Sequence, residues 1–363
     1  MTRPSHALID LAALKANYRL ADNLSKQGSA SAQTLAVVKA NAYGHGAAAV
    51  AAALEPLAPV LAVACCDEAV ALREAGIVKP LLVLEGLLSD DEIALCAACD
   101  FWPMISDIGQ VDAILAARLD RPLTAWIKVD TGMHRLGIQP GELAAQYQRL
   151  RDSGKAIGIV AATHLASADE LDNPFTTTQI ARLDTVARPL ELPLSIANSP
   201  ALLAWSTARA EWNRPGFMLY GNSPFDQPHA VADRLQPVMT FSSQVMALRR
   251  LASGETVGYG ETWRAPRPSL IATIPVGYGD GYPRTAANGT PVLVNGQRGS
   301  LAGRVSMDLI TVDVTDCGPV RVGDTVELWG RGLAVNEVAR CAATSPYELP
   351  TRMPARLRRL YRE

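Results

Sequence analysis

The sequence predicts an α/β protein: a (β/α)8 barrel of the TIM type followed by a mainly β C-terminal domain. Short apolar runs alternate with helix-like stretches over the first part of the chain, the grammar of strand-plus-helix units. From about residue 235 the pattern changes to β-branched segments separated by Gly, Pro and Asn, as in LIATIPVG, TPVLVNG and GDTVELWG, which reads as a small barrel or sandwich. A doubly wound dinucleotide sheet is the competing architecture. It would show a G-x-G-x-x-G loop after its first strand, and none occurs there.

In chain order, a short strand at 6–9 precedes Asp10, which can cap a helix carrying Leu14, Tyr18, Leu20 and Leu24 at near-helical spacing. Strands follow at 35–39, 60–65, 80–86, 101–106, 123–130, 156–166 and 192–198, with a short last one near 211–214. Between them lie helix-like stretches such as DEAVALREAG and PGELAAQYQRLRDSG. The strands from 35–39 to 211–214 give eight units within about 190 residues, the period of a closed barrel. The expected domains are 10–230 and 235–363, with Leu8 and Ile9 adding a strand to the second. The closing RLRRLYRE reads as a solvated basic tail.

With 363 residues, 48% of them hydrophobic and 19% charged, the chain can bury a large core. A net charge of −2 gives no basic field for nucleic acid or an acidic membrane. No apolar stretch is long enough to span a bilayer, and the first residues lack a secretory core, so the expected location is cytoplasmic. Cys96 and Cys99 have C-x-x-C spacing but no second pair and no nearby histidine. They read as packed, reduced thiols, with no metal.

Lysine occurs at only six positions, and LAVVKANAYGHG places one of them, Lys39, at the end of an apolar strand followed by a tight turn. A lysine withdrawn from water there loses proton affinity and can attack an aldehyde, forming a Schiff base. Barrel active sites lie at the C-terminal strand ends. Lys128, Asp130 and Arg135 end the fifth barrel strand, His164 the sixth, Asn198 and Ser199 the seventh, and Arg214 the eighth. Singly, His164 reads as a core histidine, Arg135 as a rim charge and Asn198 as a helix cap; packing alone does not explain their joint placement. Ser199 and the Gly216 amide suit a phosphate, and lysine plus phosphate suggests pyridoxal phosphate. Arg214, always charged, would keep a pyridine nitrogen unprotonated and favour quick reprotonation at Cα over other outcomes.

AVVKANAYGHG, KVDTGMHRLG, THLASAD, ANSPA, RPGFMLYG, VGYGETW, PVGYGDGY, GRVSMD and SPYELP together resemble the motif series of the alanine racemases, in order across nearly the whole chain. The resemblance implies a fold III pyridoxal-phosphate enzyme, active as a homodimer with shared sites. It makes Lys39 the Schiff-base lysine and one base, and Tyr259, donated by the partner subunit, the other. A phenol is a poor base near neutrality unless cations lie beside it, which implies that Tyr259 comes close to His164 and Arg214. By the same resemblance Tyr43, Ser199, Gly216 and Tyr347 hold the phosphate, His164 lies against the ring, and Arg214 faces its nitrogen. Arg135 meets the cofactor phenolate or the substrate carboxylate, and Lys128 matches a lysine that is often carbamylated. Met307 and Asp308 form a partner-donated wall; Tyr278 and Tyr282 form a gate. Leu165, Pro200 and Ser306 depart from residues common in the family and bear on substrate shape. The implied reaction interconverts L- and D-alanine by two bases and supplies D-alanine for peptidoglycan. Alternatives are a serine or broad-specificity racemase, a fold III decarboxylase, which would be expected to pair the ring nitrogen with a carboxylate, and a pyridoxal-binding protein without turnover.

Overall fold

Alternation along each barrel strand sends side chains to opposite sides of one parallel sheet. In the strand Leu123–Lys128, Trp126 points inward while Ile127 faces the helices, and the pairings Trp126↔Val160 and Ile127↔Ala161 keep each neighbour on the same side. The interior is filled by Leu35, Val37, Val60, Ala62, Leu82, Met104, Trp126, Val160 and Ala162. Trp212 closes it, with its ring centroid 5.5 Å from that of Trp126 and 6.0 Å from that of Trp102.

This is a computed structural model describing residues 3–363. The barrel is a nearly closed parallel ring. Its first strand comes in two pieces: Gln33–Thr34 pairs with the short eighth strand Trp212–Asn213, and Ala36–Val37 pairs with Leu61–Val63. Leu81–Val83, Phe101–Ile105, Leu123–Lys128, Ala156–Ala162 and Leu194–Ser195 continue around it.

The opening strand His6–Asp10 lies outside this ring. It pairs antiparallel with Met239–Gln244 and parallel with Arg358–Arg362, inside a nine-stranded sheet whose other strands all come from residues after 238. Asp10 then does three jobs. Its carboxylate caps the helix Leu11–Gly28 by accepting the Ala13 N–H at 2.9 Å, and it pairs with Arg362 at 2.7 Å and with Arg331. The joint between barrel and β sheet therefore includes a buried carboxylate met by two exposed arginines as well as an apolar core. No helix among the described residues is long and apolar enough to cross a membrane. All six cysteines are free; the near neighbour of Cys96 is Cys66, at 3.9 Å between sulfurs.

Candidate active site

Lys39 directly follows the first barrel strand. Burial, and then the charge of Arg135, lowers its proton affinity, while Glu85 and Glu68 act in the opposite direction. The next four residues form a turn of unusual hand: φ is 52° at Ala40, 54° at Asn41 and Ala42, and 51° at Tyr43. Left-handed geometry is costly for residues with a Cβ, so outside contacts must impose it. Glu68 accepts the Ala40 N–H at 2.7 Å, and Asn41 Oδ1 accepts the Ala47 N–H at 2.8 Å. The fully buried His45 donates through Nδ1 to the carbonyls of Tyr43 at 2.9 Å and Ala42 at 3.1 Å. Burial lowers the pKa of His45 to about 4, so its ring is neutral.

The basic tail is largely exposed, as expected, but it is an ordered strand that makes specific contacts. Arg358–Arg362 is an edge strand, from which Arg359 Nε donates to Gly44 O at 2.7 Å and the Tyr361 hydroxyl donates to His45 O at 3.2 Å. Gly44, at φ 80°, passes so close that any Cβ would strike the Pro350 carbonyl. The tail's arginines spend their polarity on neighbouring carbonyls and on Asp10, which a composition-based reading does not reveal.

Lys128 is buried at the end of the fifth barrel strand. Burial, with Arg214, Arg135 and Lys39 adding to it, lowers its pKa to about 8. Asp130 accepts the N–H groups of Gly132 and His134 and pairs with His134 Nδ1 at 3.0 Å, so it is committed to its own loop. Arg135 is exposed in that loop. Burial and the charges of Arg214, Lys128, Arg135 and Lys39 hold His164 well below the ordinary histidine range, leaving it neutral. Arg214 donates from Nη1 to Ser195 O at 2.8 Å and Ser195 Oγ at 2.6 Å, and from Nη2 to Thr163 O at 2.5 Å. Two of its five N–H groups remain for another partner.

Ser199 Oγ accepts N–H groups from Gly216 at 3.0 Å and Met218 at 3.2 Å, which leaves its own proton to donate elsewhere. A Cβ on Gly216 would come within 2.5 Å of Tyr43 Oη, so only glycine fits there. Tyr347 stacks on Phe217 at 3.6 Å and 12°. Burial raises the Tyr43 phenol to about 12 and raises that of Tyr347 as well, so both hydroxyls stay protonated donors. Asn198 is the helix cap, accepting the Ala201 N–H at 3.1 Å. Three hydroxyls thus meet at the Gly216 backbone beside four cations; Glu68 and Asp130 are bound to backbone N–H groups, and Glu85 is the further carboxylate acting on Lys39. That donor set fits an anionic, phosphate-bearing aldehyde such as pyridoxal phosphate.

One contributor escaped the sequence. Gln179, fully buried in the helix Phe175–Ala187, donates to Thr131 Oγ1 at 3.2 Å and His164 O at 3.1 Å and accepts the Ala166 N–H at 2.8 Å. It fixes the loop after the sixth strand, and no motif announces it.

The β-domain residues form a separate group. Tyr259, Tyr278 and Met307, respectively 74%, 39% and 54% exposed, line a surface cavity of about 440 Å³ with Arg284, Arg304 and Ser306. Within one chain Tyr259 is gathered with these residues and not with His164 or Arg214. Tyr278 N–H donates to Ser306 O at 3.1 Å, and behind both loops the buried Asp280 pairs with Arg3 at 2.7 Å and Arg356 at 2.8 Å. Tyr282, expected at the gate, is instead 1% exposed and stacks against Trp329 in the β core. The two tyrosines are separated by the 3-10 turn Tyr278–Asp280, which Gly281 ends at φ 98°.

Comparison with known proteins agrees with this geometry. The family description "Alanine racemase, N-terminal domain" matches residues 9–224, and "Alanine racemase, C-terminal domain" matches 238–361. The chain is 49% identical to an alanine racemase of Pseudomonas taetrolens over 347 residues, 96% of each chain. It is equally similar to a protein of Pseudomonas putida named "Alanine racemase, catabolic", 49% over 96% of each. Among solved structures, the biosynthetic alanine racemase of Pseudomonas aeruginosa superposes with a TM-score of 0.94 at 45% identity, covering 100% of both chains.

Proposed function

Because the chain belongs to the alanine racemase family, we propose that it interconverts L- and D-alanine with pyridoxal phosphate, in a homodimer whose two sites each use both subunits. The observation that carries this reading is the barrel mouth itself, where Lys39, Lys128, Arg135 and Arg214 surround a neutral His164 beside the hydroxyls of Tyr43 and Ser199. Pyridoxal phosphate, when bound, supplies an electron-withdrawing ring that makes the Cα–H of an attached amino acid acidic.

The chain's own groups then divide the work. Residues 10–230, with Tyr347, would hold the cofactor: the Ser199, Tyr43 and Tyr347 hydroxyls would take its phosphate together with the Gly216 amide, which already donates to Ser199 Oγ, His164 would support the ring, and Arg214 keeps N–H groups for its nitrogen. Residues 235–363, with the opening strand, supply the partner-facing wall of Met307 and Asp308 and the gate residue Tyr278. Lys39 removes the Cα proton of D-alanine or returns it. Tyr259 of the partner subunit does the same on the L face. Bases on opposite faces are what inversion requires. Arg135 orients the substrate carboxylate. Lys128, with a pKa of about 8, keeps some unprotonated amine at neutral pH, and carbon dioxide would convert that amine to a carbamate able to hold Arg135.

The cytoplasm is the proposed location, and supply of D-alanine for the cell wall the proposed role. Relatives named both biosynthetic and catabolic share this similarity, so rescue of a D-alanine auxotroph tests the role. The activity is tested by incubating purified protein with pyridoxal phosphate and L-alanine and separating the enantiomers, with Lys39→Ala alongside. A near-equal mixture, absent in the variant, is expected. Cofactor bound through Lys39 without D-alanine would remove alanine as substrate and turn attention to serine and basic amino acids.

A further inference from the structure

The left-handed turn after Lys39 has one anionic support, Glu68, which is not among the residues assigned to cofactor or substrate. Glu68 stands in the first turn of the helix Cys66–Glu74, and its carboxylate spans two strand ends at the mouth: Oε1 accepts the Ala40 N–H at 2.7 Å and Oε2 accepts the Ala64 N–H at 2.8 Å. Ala64 follows the second barrel strand, Leu61–Val63, which pairs with the strand leading to Lys39 through Ala36↔Leu61 and Val37↔Ala62. Ala40 is the residue after Lys39 and the first of four with positive φ. Without an acceptor at its N–H, nothing on that side opposes relaxation of Ala40 toward the ordinary right-handed region.

We infer that Glu68 is a positioning residue for Lys39, locking the turn so that the amine is presented at one face of the substrate Cα. Both carboxylate oxygens are used, and both accept, so the group must be a carboxylate. Glutamine offers one acceptor and one donor, and would set an N–H against an N–H at either Ala40 or Ala64. Aspartate keeps the charge but is one methylene too short to reach both amides. Of the residues that support the turn, His45 and the strand Arg358–Arg362 act on its carbonyls and Asn41 acts on the following helix. Glu68 alone holds the amide adjacent to the lysine among the described residues.

This inference rests on the assignment of Lys39 to the D-alanine face, and the test separates the two. Holoenzyme carrying Glu68→Gln or Glu68→Asp is compared with wild type in deuterium oxide, following solvent deuterium into Cα of D-alanine and of L-alanine separately. Exchange into D-alanine, which needs Lys39, should fall about ten- to a hundredfold in both variants. Exchange into L-alanine, begun by Tyr259, should fall several times less. In parallel, backbone amide exchange across residues 36–47 should be about tenfold faster in Glu68→Gln than in wild type. An equal loss for both enantiomers makes Glu68 a general structural residue and overturns the proposal, as does unchanged amide exchange. A wild-type holoenzyme that exchanges neither enantiomer overturns the functional reading instead, and the amide exchange still decides whether Glu68 holds the turn.

Discussion

The barrel mouth and the β-domain face are built to opposite standards. At the mouth, most functional groups are tied to backbone: Arg214 to Ser195 and Thr163, Ser199 to Gly216 and Met218, and the turn after Lys39 to Glu68, His45 and Arg359. At the β face, Tyr259, Tyr278 and Met307 are exposed, and only the loops of the last two are braced from behind, by Asp280 between two arginines. The groups of the mouth are held by contacts within one chain, whereas those of the face line an open surface cavity. In the proposed dimer this difference is the design: one surface receives cofactor and the other completes it.

The harshest way to break that comparison is at the lysine. Lys39→Ala is expected to lower racemisation by about ten-thousandfold or more, since it removes the covalent anchor and one base; chiral chromatography after long incubation measures it. Tyr259→Phe should cost about a hundred- to ten-thousandfold while leaving solvent exchange into D-alanine. Mixing the two inactive variants sharpens the point. If each site takes Lys39 from one subunit and Tyr259 from the other, randomly exchanged dimers regain about a quarter of wild-type activity. Recovery of none would put both bases in one chain.

Smaller effects follow from burial at the mouth. His45 has a lowered pKa, so the folded protein leaves it neutral while the unfolded chain protonates it. Stability is therefore lost as pH falls from about 6.5 toward 4, by on the order of 3 kcal/mol from this residue. His164 adds in the same direction, since burial also lowers its pKa. Denaturant titrations of wild type and His45→Asn at neutral pH and near pH 4.5 check this: the variant keeps a donor for the Ala42 and Tyr43 carbonyls, and its stability should fall less on acidification. The smallest effect is expected at Tyr282. Its buried hydroxyl has no hydrogen-bond partner among the described residues, so Tyr282→Phe should leave turnover within about twofold and stability unchanged or slightly raised. A large rise in KM would return Tyr282 to the gate.

Much of this was legible in the sequence, for physical reasons that differ from residue to residue. Lys39 was legible because an apolar strand followed by turn residues exposes any lysine at its end, and Ser199 and Arg214 because barrel topology sends strand ends to one face. The hand of the turn was not, since Ala40 and Ala42 have no preference for positive φ and take it from Glu68 and His45, distant or buried partners. Nor was the tail, where alternate arginines resemble a solvated run yet each finds a carbonyl or carboxylate. Tyr278 and Tyr282 share one motif, and only the turn between them and the packing of Tyr282 on Trp329 distinguish the exposed residue from the buried one. Gln179 was invisible because glutamine in a helix signals nothing until its three polar contacts are in place.

The strand Arg358–Arg362 also sets a clock on synthesis. Arg362 and Asp10 meet across 352 positions of chain, and Arg359 reaches the turn beside Lys39 only when that strand has docked. Glu68 and His45 leave the ribosome with the barrel segments, but the lysine turn gains its last brace, at the Gly44 and His45 carbonyls, only when this distant strand arrives. Loss of the last few residues would thereby loosen the lysine turn without touching any residue of the barrel.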